Sequence, residues 1–252
     1  MKHDSIFKPQ EVNIKTFISN KYFYRIPDFQ RSYTWDNLKT NDLILSISKS
    51  TKKNQLFLGT VYFHNKDGIY NITDGQQRII TLFLTINALR LLGHENLKEY
   101  LYDRDEKAYI DIYEAVPLHN MLFKSKDKYE VEDIKENLDD ITLTKLQIIE
   151  NQENIYKYLK ENPELQTTFM EGIKHSYIIL IDVPVEKNMY RIFRNINSKG
   201  APLTDIDIIK NAFFEMITPV KAIQFEKQHK YTYWKKIENN LLTDRREINA
   251  GL

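Results

Sequence analysis

Ile69-Tyr70-Asn71-Ile72-Thr73-Asp74-Gly75-Gln76-Gln77-Arg78 opens a stretch that runs on through Ile79, Ile80, Leu82, Phe83, Leu84, Ile86 and Leu89 to Leu92. Ile69 to Thr73 is rich in β-branched residues and reads as a strand. The turn signal Lys66-Asp67-Gly68 joins it, as a hairpin, to a strand over Leu56 to Phe63 that Gly59 interrupts. Asp74-Gly75 ends the second strand. From Gln76 to Leu92 apolar residues fall on nearly every side, the mark of a buried helix. Gly93 supplies its stop.

Working outward, residues 1–35 look irregular, with an apolar patch at Ile14, Phe17 and Ile18 that suits a short helix. Asp36 is placed to cap a helix that turns Leu38, Leu43, Ile44 and Ile47 inward. Residues 95–170 are more polar, with helices expected near 95–102, 130–139 and 143–161, the last closed by Pro163. Tyr177 to Ile181 reads as a central strand buried on both faces. Val185 to Asn195 looks helical, and Asn197 to Gly200 is a loop. A last helix starts at Thr204, with Asp207 at the capping-box position and Leu203 and Ile208 as a hydrophobic staple. Ile209, Ala212 and Phe213 would then face a core.

Composition narrows the chemistry. The 252 residues include no Cys, which excludes disulfide scaffolds, thiolate metal sites and thiol catalysis. Lys and Arg number 36 against 35 Asp and Glu, a net charge of +1, so any attraction to nucleic acid must come from a local basic face. The start, Met1-Lys2-His3-Asp4-Ser5, lacks the apolar run of a signal peptide, and no stretch reaches membrane-spanning length; a soluble, cytoplasmic protein with no membrane partner is expected. The six His show no helical pairing of the kind a zinc motif needs.

Three segments could carry chemistry. Ile26-Pro27-Asp28-Phe29-Gln30-Arg31-Ser32-Tyr33-Thr34-Trp35 packs a guanidinium, an amide and three aromatic rings into an extended arm. It reads either as a recognition arm or as an arm whose rings plug the core. In Asp74-Gly75-Gln76-Gln77-Arg78 the free amides of a helix start welcome phosphate, and Arg78 adds a full charge. There Asp74 could hold a hydrated divalent cation and Gln77 could position a nucleophile. Equally, Asp74 could simply cap the helix. The spacing is not that of a Walker A loop. In the third segment, Phe193 to Thr204, Asn197 could read a base edge or ribose, with Lys199 near phosphate and Gly200 allowing close approach. An ordinary turn would use the same residues.

The order of these segments resembles one family. Ile-Pro-x-Phe-Gln-Arg-x-Tyr-x-Trp at 26–35, Phe-Leu-Gly at 57–59, Asp-Gly-Gln-Gln-Arg at 74–78 and the Asn-x-x-Gly pattern at 197–210 are similar to the N-terminal domain of GmrSD-type modification-dependent restriction systems. The same domain is present in the phage-defence proteins SspE and BrxU. The resemblance implies an α+β fold: a small mixed sheet with helices, like the ParB/sulfiredoxin core, plus a mainly helical insertion. On that basis residues 1–94 and 171–240 form a nucleotide-binding core and 95–170 the insertion. Residues 241–252 begin a linker toward a nuclease domain.

Hydrolysis of a nucleoside triphosphate (GTP, UTP or ATP) with Mg²⁺ is implied, coupled to cleavage of DNA, including modified phage DNA. Asp74, Gln77 and Arg78 take the catalytic part, with Mg²⁺ at Asp74. Gln30, Arg31, Gly75, Gln76, Asn197, Lys199 and Gly200 take the nucleotide-binding part. Two departures stand out: Ser32 occupies a position that is often Pro in the family, and no His cluster answers to a His-Asn-His nuclease. The nuclease is therefore expected in a C-terminal domain or a partner subunit, and a second copy of the chain is a further candidate partner. The alternative is a non-enzymatic ParB-like module in which the Gln and Arg residues contact DNA phosphates.

Overall fold

The computed structural model describes residues 9–27, 30–112, 115, 118–125, 134 and 142–183. In chain order these hold β1 (Pro9–Asn13), α1 (Ile14–Ser19), β2 (Phe23–Ile26), α2 (Asn37–Ser48), β3 (Leu56–Lys66), β4 (Ile69–Asp74) and α3 (Gln76–Leu91). A 3₁₀ turn (Glu95–Tyr100), β5 (Ile110–Ile112), α4 (Leu118–Lys124), α5 (Leu143–Glu161), α6 (Pro163–Gly172) and β6 (Ser176–Asp182) follow. The chain divides into two compact units, 1–27 with 32–189, and 28–31 with 190–252; all of these elements lie in the first.

One six-stranded sheet runs in the order β1-β6-β3-β4-β2-β5. β3 and β4 form the expected antiparallel hairpin, and β3 is parallel to β6. β2 lies parallel to both β4 and β5. The fold is thus α+β with a mixed sheet, and the stretch 95–170 adds an edge strand, β5, to its helices. Gly59 does not interrupt β3: the strand continues through it with a bulge, its register with β6 shifting between Phe57 and Thr60.

Burial alternates along the central strands, with Val61 and Phe63 of β3 in the core and Tyr62 and His64 half-buried. β6 behaves likewise, which corrects the expectation of burial on both faces. Ser176, Ile178 and Leu180 are buried while Tyr177, Ile179 and Ile181 stay half-exposed. An antiparallel neighbour on one side lets a strand keep one face partly open, where an all-parallel setting would not.

The helices start where their caps dictate. Asp36 accepts the Lys39 amide at 3.0 Å and Thr142 the Lys145 amide at 3.2 Å. Pro163 ends α5 but also occupies the first turn of α6, where its missing N–H costs nothing. α3 is buried from Gln76 to Arg90 except at Arg78. Two of its polar interior positions are matched: Asn87 Nδ2 donates to Gln152 Oε1 of α5 at 2.9 Å, and Arg90 Nε donates to Asn87 Oδ1 at 3.1 Å. No helix among the described residues is long and apolar enough to cross a membrane.

Candidate functional site

Because β4 and β2 are parallel neighbours, they end on the same side of the sheet, β4 at Asp74 and β2 at Ile26. Gly75 takes φ +94° as the N-cap of α3, and a Cβ there would stand 2.9 Å from Val61 Cγ2. Only glycine meets both demands. No side chain caps the helix, so Asp74 is not the cap that its position allowed. Its carboxylate, half-buried at the end of β4, accepts no hydrogen bond and forms no ion pair among the described residues.

Arg78 lies one turn into α3. β4 stops at Asp74, opposite Tyr62, while β3 extends further back to Leu56. Arg78 reaches that overhang: Nη1 donates to the Leu58 carbonyl and Nη2 to the Thr60 carbonyl at 2.8 Å. A guanidinium fork here does what a continuing strand would do for the two carbonyls. Gly59, between them at φ +97°, makes room, since a Cβ would fall 2.3 Å from Nη1. Phe57-Leu58-Gly59 and Asp74–Arg78 are therefore one structure. Burial pushes the Arg78 pKa down, and the Asp74 charge pulls it back.

Gln77 is 4% exposed and turns toward the arm. Its Oε1 accepts the amides of Thr34 at 3.0 Å and Trp35 at 3.2 Å, and its Nε2 donates to the Ser32 carbonyl at 2.9 Å. Both ends of the amide are thus engaged with backbone, so Gln77 here positions the arm and not a water. Thr81 Oγ1 donates to the Gln77 carbonyl at 2.8 Å. The Tyr33 hydroxyl, 2.8 Å from the same Oγ1, must then be the donor. Burial pushes the Tyr33 phenol up to about 12, against the pull of its hydrogen bonds to Thr81 and Asn151.

The other side of the arm is held by α5. Thr144 Oγ1 accepts the Tyr33 amide at 3.3 Å, and Asn151 Nδ2 donates to the Trp35 carbonyl at 2.6 Å. A segment with no ladder of its own is thereby satisfied by side chains of two helices. Sequence reasoning missed Thr144 and Asn151. The available signal was an Asn in phase with Ile148 and Ile155, three and four residues away on an apolar helix face.

Gln76 is buried at 3% exposure. Gln30, which is buried, and Arg31, which is half-buried, belong to the second compact unit. Asn197, Lys199 and Gly200 lie outside the described residues, as do the expected helices at 130–139 (Ile134 apart), 185–195 and beyond Thr204. No group of three or more His, Asp and Glu that could hold a metal occurs among the described residues. By itself the Asp74 carboxylate is a donor that suits Mg²⁺ only when phosphates and waters complete the octahedron.

The family model described as the GmrSD restriction endonuclease N-terminal domain matches residues 14–214. The chain belongs to that family. The match spans the arm, the Arg78 fork on β3 and the Asp74 joint. Membership makes it a restriction-related defence domain. No curated protein matches the chain.

Proposed function

We propose that this GmrSD-type domain binds and hydrolyses a nucleoside triphosphate with Mg²⁺ at the Asp74–Arg78 joint, and that turnover controls a DNA nuclease lying in another domain or subunit. One observation carries the reading: a carboxylate that accepts no hydrogen bond and forms no ion pair among the described residues, its charge felt by Arg78, stands beside the uncapped start of a 16-residue helix. The first-turn amides of α3 favour an anion. Asp74 fits as the protein ligand of Mg²⁺, which when bound neutralises phosphate charge. Arg78 holds the β3 bulge against the joint and contributes its charge from there. Gln77 keeps the arm folded over the helix start.

The rival reading, a DNA-binding scaffold that uses these Gln and Arg side chains, is weakened because Gln77 and Arg78 already donate to backbone carbonyls of the arm and of β3. Phosphate release with GTP, UTP and ATP tests the proposal, in wild type and in Asp74→Asn. Turnover in the first and none in the second, at equal thermal stability, is the expected result. A folded wild type that neither binds nor turns over any of the three removes the enzymatic reading.

A further inference from the structure

The loop between α2 and β3 is basic. Lys49, Lys52 and Lys53 are exposed, and none forms an ion pair among the described residues. The loop is also rigidly built. Thr51 and Asn54 exchange both backbone hydrogen bonds at 3.0 Å, which puts Lys52 and Lys53 at the tip of a closed turn. The His175 carbonyl ties down both flanks, accepting Ser50 Oγ at 2.8 Å and the Leu56 amide at 3.1 Å. Beneath it, Gly172 of α6 packs so tightly on α2 that a Cβ would meet the Ile47 carbonyl oxygen at 1.9 Å.

Beside this base Lys174 pairs with Glu171. Glu171 is the local acid, held below its usual range first by Lys174, 2.5 Å away, and then by His175 and Lys15. Four residues beyond Lys53, Phe57 is 46% exposed, unusual for a ring in a central strand. It stacks on half-exposed Tyr177 of β6 with centroids 5.3 Å apart. By chain length the Cα of Phe57 lies within about 14 Å of the Cα of Lys53. Two exposed lysines on a closed backbone turn, four residues from an exposed aromatic ring, are the combination that takes a single nucleic-acid strand, phosphate on the lysines and base on the ring.

From this charge and ring arrangement we propose that the Lys52-Lys53 turn and the Phe57–Tyr177 pair contact a DNA strand, phosphates on the lysines and an unpaired base on Phe57. The inference deepens the reading of a DNA-directed defence domain and rests on it, but not on nucleotide turnover. Both elements project from exposed positions, so variants there should leave the fold intact.

The test is fluorescence anisotropy of a labelled single-stranded DNA, titrated without nucleotide over a salt series, with circular dichroism confirming the fold. Neutralising two phosphate contacts in a Lys52→Ala/Lys53→Ala variant should flatten the slope of log affinity against log salt by about 1.4. Phe57→Ala should weaken binding about ten-fold, and Phe57→Tyr should restore it. If the wild type does not bind, or if both variants bind with unchanged affinity and slope because the patch serves a protein partner, the proposal is overturned. Since no nucleotide is present, an inactive Asp74 joint would leave these outcomes unchanged.

Discussion

Replacing Gln77 with alanine tests the wiring of the arm most directly. The substitution removes three hydrogen bonds at 2.9–3.2 Å and leaves the amides of Thr34 and Trp35 and the carbonyl of Ser32 without that partner. At about 1 kcal/mol net for each bond, the loss is about 3 kcal/mol. For a domain of this size that is a fall in Tm of about 6–12 °C. Thermal melts followed by far-UV circular dichroism measure it, with Trp35 emission reporting the arm itself. Gln77→Glu is the informative companion. A buried carboxylate still accepts from Thr34 and Trp35 but turns an oxygen on the Ser32 carbonyl with no donor, so at neutral pH it should be at least as destabilised as alanine, and acidification that protonates it should recover part of the loss. A drop below about 2 °C for alanine, or glutamate as stable as wild type at neutral pH, would refute the assignment of Gln77 as the clasp of the arm.

Four further outcomes are expected. Gly59→Ala puts a side chain at φ +97° and into Arg78 Nη1, at a cost of about 2 kcal/mol; combined with Arg78→Ala the double variant should lose about 1 kcal/mol less than the sum, read by urea denaturation. Gly172→Ala should destabilise by about 2–3 kcal/mol in the same assay, since a backbone carbonyl cannot step aside. Burial holds the His119 pKa below its ordinary 6.5, though Asp111, itself bonded to Arg25 at 2.9 Å, pulls it up. The unfolded chain therefore takes up a proton there that the fold refuses, so stability falls on acidification through 6.5, and His119→Gln should flatten that fall in pH-dependent melts. Asp74→Asn, which breaks no hydrogen bond, should change stability by no more than about 0.5 kcal/mol while phosphate release stops.

What could be read from the sequence was what local pattern decides. The hairpin, the interior helix, the Asp36 cap and the helix at 143–161 each announce themselves by turn chemistry or periodicity, and all four are present. The strands Pro9–Asn13, Phe23–Ile26 and Ile110–Ile112 do not. With three to five residues apiece they are too short to show alternation, and only their sheet partners make them strands. Pro163 reads as a stop because it cannot continue a helix, yet the same missing N–H suits it to begin one. The joint at Asp74–Arg78 was visible as a place for an anion. Its links to Ser32, Thr34, Trp35, Leu58 and Thr60 were not, because they run to backbone atoms that every residue type possesses.

That last property bears on how the arm can drift. Gln77 asks of position 32 only a carbonyl oxygen, which an imino acid offers as well as serine does, so Ser32 in place of the family's frequent Pro leaves this contact whole. At 34 and 35 it asks for an N–H, and there proline is the one residue type that the clasp would reject.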